Sequence, residues 1–156
     1  MTIDVGSGHD HHPLSHYLAL MGTFVTTSTA AVAALRAAGR PFPARVPARD
    51  ILLLGLATSR VSRLLTRDKV TRVVRAPFTD VTPGADPEKV DEKPRQDSDA
   101  RRALGELLLC PRCVGVWAGM AFGCGYMLSP DVTRLIAGMF ASATVSDYVN
   151  AKIAAA

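Results

Sequence analysis

The chain has 156 residues and a net charge of +4, and 48% of its residues are hydrophobic while only 6% are aromatic. This length allows a single domain of about four helices around one core. The basic balance does not indicate a nucleic-acid partner, because the basic residues between 68 and 99 are interleaved with eight acids. Three cysteines, an odd number, do not form a secreted disulfide framework.

Long uncharged runs dominate the sequence. The runs without Asp, Glu, Lys or Arg are 17–35, 51–59, 113–130 and 135–146. Such runs around one charged block are typical of a small polytopic membrane protein. We therefore predict an all-α fold with about four transmembrane helices. A soluble helical bundle is the alternative, since two of the runs are shorter than the roughly 20 residues that span a bilayer.

Composition divides the chain into three parts. Residues 1–16 form a polar tail, residues 17–49 an additional span with a Pro-rich linker, and residues 50–156 the main membrane domain. Within this domain, residues 66–102 mix charges of both signs with few apolar residues. We predict a charged, partly disordered loop there, with an amphipathic segment at its start lying on the membrane surface.

Three of the predicted spans carry small residues at every fourth position. These stripes are Gly22, Thr26 and Ala30; Gly115, Gly119 and Gly123; and Gly138, Ser142 and Ser146. Small side chains let membrane helices approach closely. We predict that the stripes are helix-packing surfaces, and that the last two spans form an antiparallel hairpin.

A few charged residues lie within or beside the spans. Arg60 and Arg63 end the second span, and we expect one of them to pair with Asp147 of the fourth. Asp50 is predicted to cap the second helix. The positive-inside rule places both termini and the loop 66–112 in the cytoplasm, since thirteen of the eighteen basic residues then lie inside.

Two groups of residues carry a family resemblance. They are Arg60-Val61-Ser62-Arg63-Leu64 with Asp68, Arg75, Pro77 and Phe78, and Cys110-Pro111-Arg112-Cys113 with Gly115 and Trp117. On these residues, the stretch from about 50 to 149 resembles an uncharacterised family of small bacterial integral membrane proteins, which includes a sporulation-associated membrane protein. The resemblance implies an integral membrane protein and supplies no activity or cofactor. Together with the uncharged runs, it leads us to predict a multi-pass protein of the bacterial inner membrane.

The Cys110–Cys113 pair has three interpretations. At a helix N-terminus it is a reactive dithiol, because the helix dipole lowers a thiol pKa. It is also half of a zinc site, which needs four ligands. The candidates for the others are His9, His11 and His12 of the tail, or the same Cys pair of a second copy of the chain. The third interpretation is a structural junction, since Cys packs well and proline suits a helix start.

No Ser, His and acid set, phosphate-binding glycine loop or carboxylate pair has the spacing of an active site. We therefore predict no enzyme and no required cofactor. The expected function is an accessory or regulatory subunit of a larger membrane assembly, for example a lipid-transport or respiratory complex. Its partners would be the bilayer and other integral membrane proteins, in a hetero-complex. The alternative is a membrane-anchored dithiol or metal-binding protein that uses the Cys pair.

Overall fold

A computed structural model describes residues 14–82 and 91–155, most of which are helical. The helices are α1 (Leu14–Ala37), α2 (Ala48–Arg67), α3 (Arg72–Arg75), α4 (Asp99–Leu109), α5 (Pro111–Leu128) and α6 (Pro130–Ala154), with a 3-10 turn at Lys69–Thr71. Two short strands, β1 (Thr79–Thr82) and β2 (Asp91–Pro94), pair antiparallel, with Thr79 opposite Pro94. The chain is thus mainly α, as predicted, and this hairpin is what the all-α prediction missed.

The last two helices are joined through one residue. The Ser129 N–H donates to Gly125 O of α5 at 2.8 Å, and the Ser129 carbonyl accepts a hydrogen bond from the Thr133 N–H of α6 at 3.0 Å. Pro111 and Pro130 occupy the first turns of α5 and α6, where the missing N–H has no helical partner to lose. Local sequence therefore determines where both helices begin and makes them neighbours.

Helix α2 contacts both α5 and α6, and α1 packs on α5 and α4. Small side chains make the closest approaches: Ala57 of α2 and Ala137 of α6 are completely buried. The Thr144 hydroxyl of α6 donates to the Leu56 carbonyl of α2 at 3.2 Å. No large side chain in the described ranges is completely buried, so the core consists of close helix backbones rather than large apolar groups.

The predicted small-residue stripes divide into packed and open positions. A Cβ atom on Gly115 or Gly119 would lie within 4 Å of Ser62 or Thr58 of α2. The other stripe residues are exposed or would meet nothing within 4 Å: Gly22, Thr26, Ala30, Gly123, Gly138, Ser142 and Ser146. Helix α6 instead buries Thr133, Ala137 and Ala141, so its small stripe lies beside its packed face rather than on it.

One helix in the described ranges is long and apolar enough by itself to cross a membrane. It covers Tyr17–Ala37 and has a mean hydropathy of 1.6 over its most apolar stretch. Helices α4 and α5 pass the same test only together, and they are bent by 78° relative to each other. Length and composition of the helices therefore give one candidate span, or two if the bent pair forms one.

The segment 66–102 is ordered wherever it is described. Instead of a disordered loop it forms a 3-10 turn, α3, the β-hairpin and the start of α4, and residues 83–90 lie outside the described residues. The expected amphipathic segment is only two short turns, with Val70 and Val73 exposed. The many charged residues of this stretch had suggested a solvated loop. In the structure several of them form ion pairs with each other, such as Arg75 with Glu92.

Gly105 of α4 is required by close packing on the hairpin. A Cβ there would lie 2.5 Å from Phe78 O and 3.1 Å from Pro94 Cα, and both are backbone atoms that cannot rotate away. We expect Gly105→Ala to destabilise the fold by about 2 kcal/mol, as overpacking does. Gly138→Ala is the matched control, since its Cβ would meet nothing within 4 Å. Chemical denaturation in detergent measures both, and equal stability of the two variants would contradict the packing.

Candidate functional site

The Cys-Pro-Arg-Cys motif forms the corner between α4 and α5. Cys110 has an extended backbone conformation, with φ −96° and ψ 105°, and the two helices meet there at 78°. Its Sγ accepts a hydrogen bond from the Cys113 N–H at 3.2 Å and so caps α5. This sulfur takes the position of the side-chain oxygen that usually caps a helix. The motif therefore has a structural role that its sequence alone left open.

The two thiols of the motif differ in their acidity. A hydrogen bond from the Cys113 side chain is the main cause that lowers the pKa of the Cys110 thiol, and Arg112 adds to it. Burial is the main cause that raises the pKa of Cys113 to about 11. Both cysteines are unbridged. A dithiol in which the pKa of one thiol is lowered and that of the other is raised has a preferred nucleophile, which here is Cys110.

We expect this asymmetry to appear in the pH dependence of alkylation. In a Cys124→Ser background, Cys113→Ala removes the side-chain donor to Cys110, keeps the backbone N–H donor, and should move the midpoint of Cys110 alkylation to higher pH. Cys113→Ser keeps a donor and should move it less. Mass spectrometry after iodoacetamide pulses from about pH 6 to about pH 10, on both sides of a free thiol pKa, measures the midpoint. Identical midpoints for the parent and Cys113→Ala would contradict the assignment.

A cavity of about 520 Å³ adjoins the Cys pair between α1, α4 and α5, and apolar side chains form most of its lining. The Tyr17 hydroxyl donates to the Glu106 carboxylate on this lining. The ring of Trp117 meets Phe24 of α1 edge to face, with centroids 5.0 Å apart. Through Trp117, α5 thus packs against α1.

The structure does not test the expected zinc site. His9, His11 and His12 lie outside the described residues. Among the residues that are described, no three His, Cys, Asp or Glu side chains lie close enough to hold a metal ion. The pair Cys110 and Cys113 supplies two thiolates, and structural zinc takes four protein ligands. The metal interpretation therefore stays a prediction that depends on the tail or on a second chain.

The structure brings Arg60 and Asp147 together. Arg60 Nη1 lies 2.5 Å from Asp147 Oδ2, and Arg60 Nη2 lies 3.8 Å from Asp68 of the family motif. The ion pair between Arg60 and Asp147 joins the last turns of α2 to those of α6. Arg63, the other candidate partner, instead lines a cavity with Arg67 and Arg112.

Arg75 organises the region that follows α2, and its side chain is only 3% exposed. It bonds to Glu92 through both Nε (2.8 Å) and Nη2 (3.0 Å). It also donates to the Leu65 and Asp68 carbonyls, at 2.7 and 3.2 Å. The Arg75 guanidinium is the main cause that holds the Glu92 pKa below its usual range. Arg75 therefore joins the end of α2 to the β-hairpin.

Pro77 lies in the turn between α3 and β1. The turn is closed by the Phe78 N–H, which donates to the Arg75 carbonyl at 2.8 Å. The Phe78 carbonyl then accepts a hydrogen bond from the Arg95 N–H at 2.9 Å. This turn brings β1 back toward β2, so Pro77 contributes to the position of the hairpin.

Sequence reasoning missed a buried cluster at the other end of the helices. Asp50 is 2% exposed, and its Oδ2 accepts hydrogen bonds from the Tyr126 hydroxyl at 2.6 Å and from Arg134 Nη2 at 2.8 Å. Arg134 Nη2 also donates to the Tyr126 hydroxyl at 3.0 Å. The predicted cap is therefore wrong: Pro47 precedes α2, and Asp50 lies in its first turn. The sequence contained one sign of this cluster: an acid, Asp50, and a base, Arg134, each lie near the start of an apolar helix.

Comparison with known proteins identifies the family. Residues 53–153 match the family described as "Protein of unknown function (DUF1360)". The chain belongs to this family. The DUF1360 match contains Arg60, Arg75, the Cys pair and Trp117, whereas α1 and Asp50 lie before it. This match confirms the predicted resemblance to an uncharacterised family.

A curated relative supports the bacterial assignment of this DUF1360 protein. It is 34% identical over 82 residues to UPF0713 protein YngL of Bacillus subtilis (strain 168). The alignment covers 52% of this chain and 60% of the relative, so the chain spans less than two thirds of the relative's length. No solved structure matches the chain.

Proposed function

We propose that the chain is a multi-pass protein of the bacterial inner membrane that acts as an accessory or regulatory subunit of a larger membrane assembly, such as a lipid-transport or respiratory complex. The observation that carries the proposal is α1. Its segment Tyr17–Ala37 is long and apolar enough to span a bilayer, yet only 6% of its most apolar stretch is buried within the chain. A helix this apolar and this exposed needs lipid or another protein around it.

The other long helices support a bundle that faces lipid. Large apolar side chains on α2 and α6 point away from the chain, for example Leu52 (69% exposed), Leu135 (63%) and Ile153 (70%). The completely buried side chains between these helices, Ala57 and Ala137, are small. Apolar exteriors with small residues at helix contacts are typical of membrane bundles. We propose that α1, α2, α5 and the central part of α6 cross the membrane, with Val114 beginning the third span.

The proposed topology keeps the basic end of the bundle in the cytoplasm. Arg63, Arg67 and Arg112 lie together at that end, together with the β-hairpin and α4. Because α4 meets α5 at 78°, α4 would run along the membrane surface if α5 crosses the membrane. Both termini then lie on the same side.

The partner-binding surface of the proposal is the small stripe of α1. Gly22, Thr26 and Ala30 are exposed, and an added Cβ at Gly22 meets nothing within 4 Å. The opposite side of α1 carries Phe24, which packs on Trp117. A stripe that no helix in the described ranges covers suits close approach by a helix of another integral membrane protein.

Native purification through a tag on the chain tests this function. We expect stoichiometric integral membrane partners, and loss of them in Gly22→Leu and Ala30→Leu, which fill the stripe. Val25→Leu is the matched control, because Val25 lies on α1, is 57% exposed and is already bulky. Recovery of the wild-type chain as a lone monomer would contradict the proposal. Equal partner loss in the control would contradict the assignment of the stripe.

A dithiol function is the second candidate, and the lowered pKa of Cys110 favours it. It predicts that Cys110→Ala and Cys113→Ala abolish function while the protein accumulates normally. It also predicts that Cys110→Ala prevents capture of mixed disulfides with substrates in cells. Cys124→Ala is the control, since Cys124 lies in α5 away from the corner. Full function in the Cys110 variant would reject this candidate.

A further inference from the structure

A basic cavity lies between the last turns of α2 and the first turn of α5. Its volume is about 610 Å³, and it is lined by Ser59, Ser62, Arg63, Arg67, Pro111 and Arg112. No acidic side chain contributes to this lining. The cavity therefore combines three guanidinium groups with hydroxyl groups, and none of the functions considered above uses it.

The three arginines have no carboxylate partner in the described part of the chain. The ion pairs there involve other arginines, among them Arg60 and Arg75. Arg63 and Arg67 are four residues apart on α2 and therefore lie on one helix face, where like charges repel. Arg112 adds a third positive charge from α5. An anion bound among the three would remove this repulsion.

Further groups on the cavity favour an anion with several oxygen atoms. Ser59 is exposed, and its hydroxyl makes no hydrogen bond to a described residue. The Ser62 hydroxyl donates to the Ser59 carbonyl at 2.9 Å, which fixes its position on the cavity wall. Pro111 and Arg112, the first two residues of α5, line the same space, so the positive N-terminal end of this helix lies beside it. Guanidinium forks and a hydroxyl donor match the directional acceptors of phosphate better than a simple halide.

We propose that this cavity binds the phosphate group of a phosphate ester. A volume of about 610 Å³ is in the range of small-molecule sites and exceeds what a bare phosphate fills. The organic part of the ester occupies the remaining space. The exposed Val70 and Val73 follow shortly after Arg67, so an apolar surface lies close by in sequence. A phospholipid headgroup and a soluble phosphate ester share the chemistry required, and experiment distinguishes them.

Two binding measurements on the full-length protein test the proposal. In the first, protein in a neutral detergent is titrated calorimetrically with glycerol 3-phosphate. In the second, protein is reconstituted in phosphatidylcholine nanodiscs with and without phosphatidylglycerol, and native mass spectrometry counts the lipids it retains. Binding in the first measurement identifies a soluble ester, whereas selective retention of phosphatidylglycerol alone identifies a lipid headgroup.

The variants are Arg63→Gln, Arg67→Gln and Arg112→Gln. All three side chains are exposed and make no hydrogen bond to a described residue, so these variants should fold, which circular dichroism checks. Each should weaken binding about tenfold, the effect of losing one charged hydrogen bond. The matched control is Arg45→Gln, which removes the same charge from the linker before α2. Absence of binding in both measurements, unchanged binding in the three variants, or an equal loss in the control would overturn the proposal.

Discussion

Replacing Arg75 by alanine is expected to lower the free energy of unfolding of the hairpin region by about 3 kcal/mol, because it leaves the buried Glu92 carboxylate with only the longer contacts of Arg72 (3.9 Å) and Thr79 (3.4 Å). The same change removes the hydrogen bonds to the Leu65 and Asp68 carbonyls, so the connection to α2 should loosen as well. Hydrogen exchange of the β1 and β2 amides, with the protein in detergent, measures this loss locally.

Arg95→Ala is the control for that experiment. Arg95 pairs with Asp80 at 3.0 Å on the same hairpin, but both side chains are at least 35% exposed. An exposed pair contributes about 1 kcal/mol or less, so this variant should remain close to wild type. Equal protection in the Arg75 and Arg95 variants would show that burial of the Glu92 pair does not matter.

Acid should have the same effect as the Arg75 variant. The Glu92 pKa is lowered in the folded protein, so its charge stabilises the fold above the unfolded pKa of about 4.3. That contribution is lost as the pH falls through the lowered folded pKa. Glu92→Gln should therefore remove this part of the acid dependence, and its stability should change less between neutral and acidic pH.

The second large effect is expected at Asp50. Asp50→Ala removes the buried acceptor that the Tyr126 hydroxyl and Arg134 Nη2 share, so Arg134 keeps only its exposed carboxylate partner Asp131 and the start of α2 loses its hydrogen bonds to α5 and α6. We expect the thermal midpoint to fall by several degrees. The double variant Asp50→Asn with Arg134→Gln should lose less than the sum of its single variants, because neither charge is then left unpaired.

Arg49→Gln is the matched control for the Asp50 experiment. Arg49 is adjacent in sequence and lies 3.7 Å from Asp50, but its side chain is 81% exposed. It should leave the thermal midpoint unchanged. Additive losses in the double variant, or a loss in Arg49→Gln as large as in Asp50→Ala, would show that the buried cluster does not act as a unit.

The helices were predictable because each one is determined by its own sequence. The uncharged run 17–35 corresponds to α1, Leu14–Ala37, and the proline at 111 begins α5 as its position predicts. The hairpin was not predictable, since β1 has a single apolar residue, Val81, and β2 consists of three charged residues and a proline, so neither strand shows apolar alternation. The contact that joins this hairpin to the end of α2, between Arg75 and Glu92, spans 17 positions and is not encoded in local patterns.

The candidate sites also divide into features that local sequence predicts and features that depend on distant contacts. The corner at Cys110 lies within four residues of sequence, and its proline and cysteine could be interpreted directly. The Asp50 cluster joins residues 84 positions apart, so nothing near Asp50 indicates that its partner is Arg134. The small stripes could be located from their spacing, but spacing does not tell which helix covers them. Of the stripe residues, only Gly115 and Gly119 face another helix, α2, within the described chain.

The scarcity of large side chains between the helices determines which mutagenesis can map this fold. Its closest contacts are made by Ala57, Ala118, Ala137 and Ala141, which alanine scanning leaves unchanged by definition. Truncation at most other positions removes groups that face outward and creates few cavities. Substitutions that add volume, such as leucine at each small buried position, push helix backbones apart. Away from the buried polar groups around Asp50 and Arg75, this protein should therefore tolerate losing side-chain atoms better than gaining them.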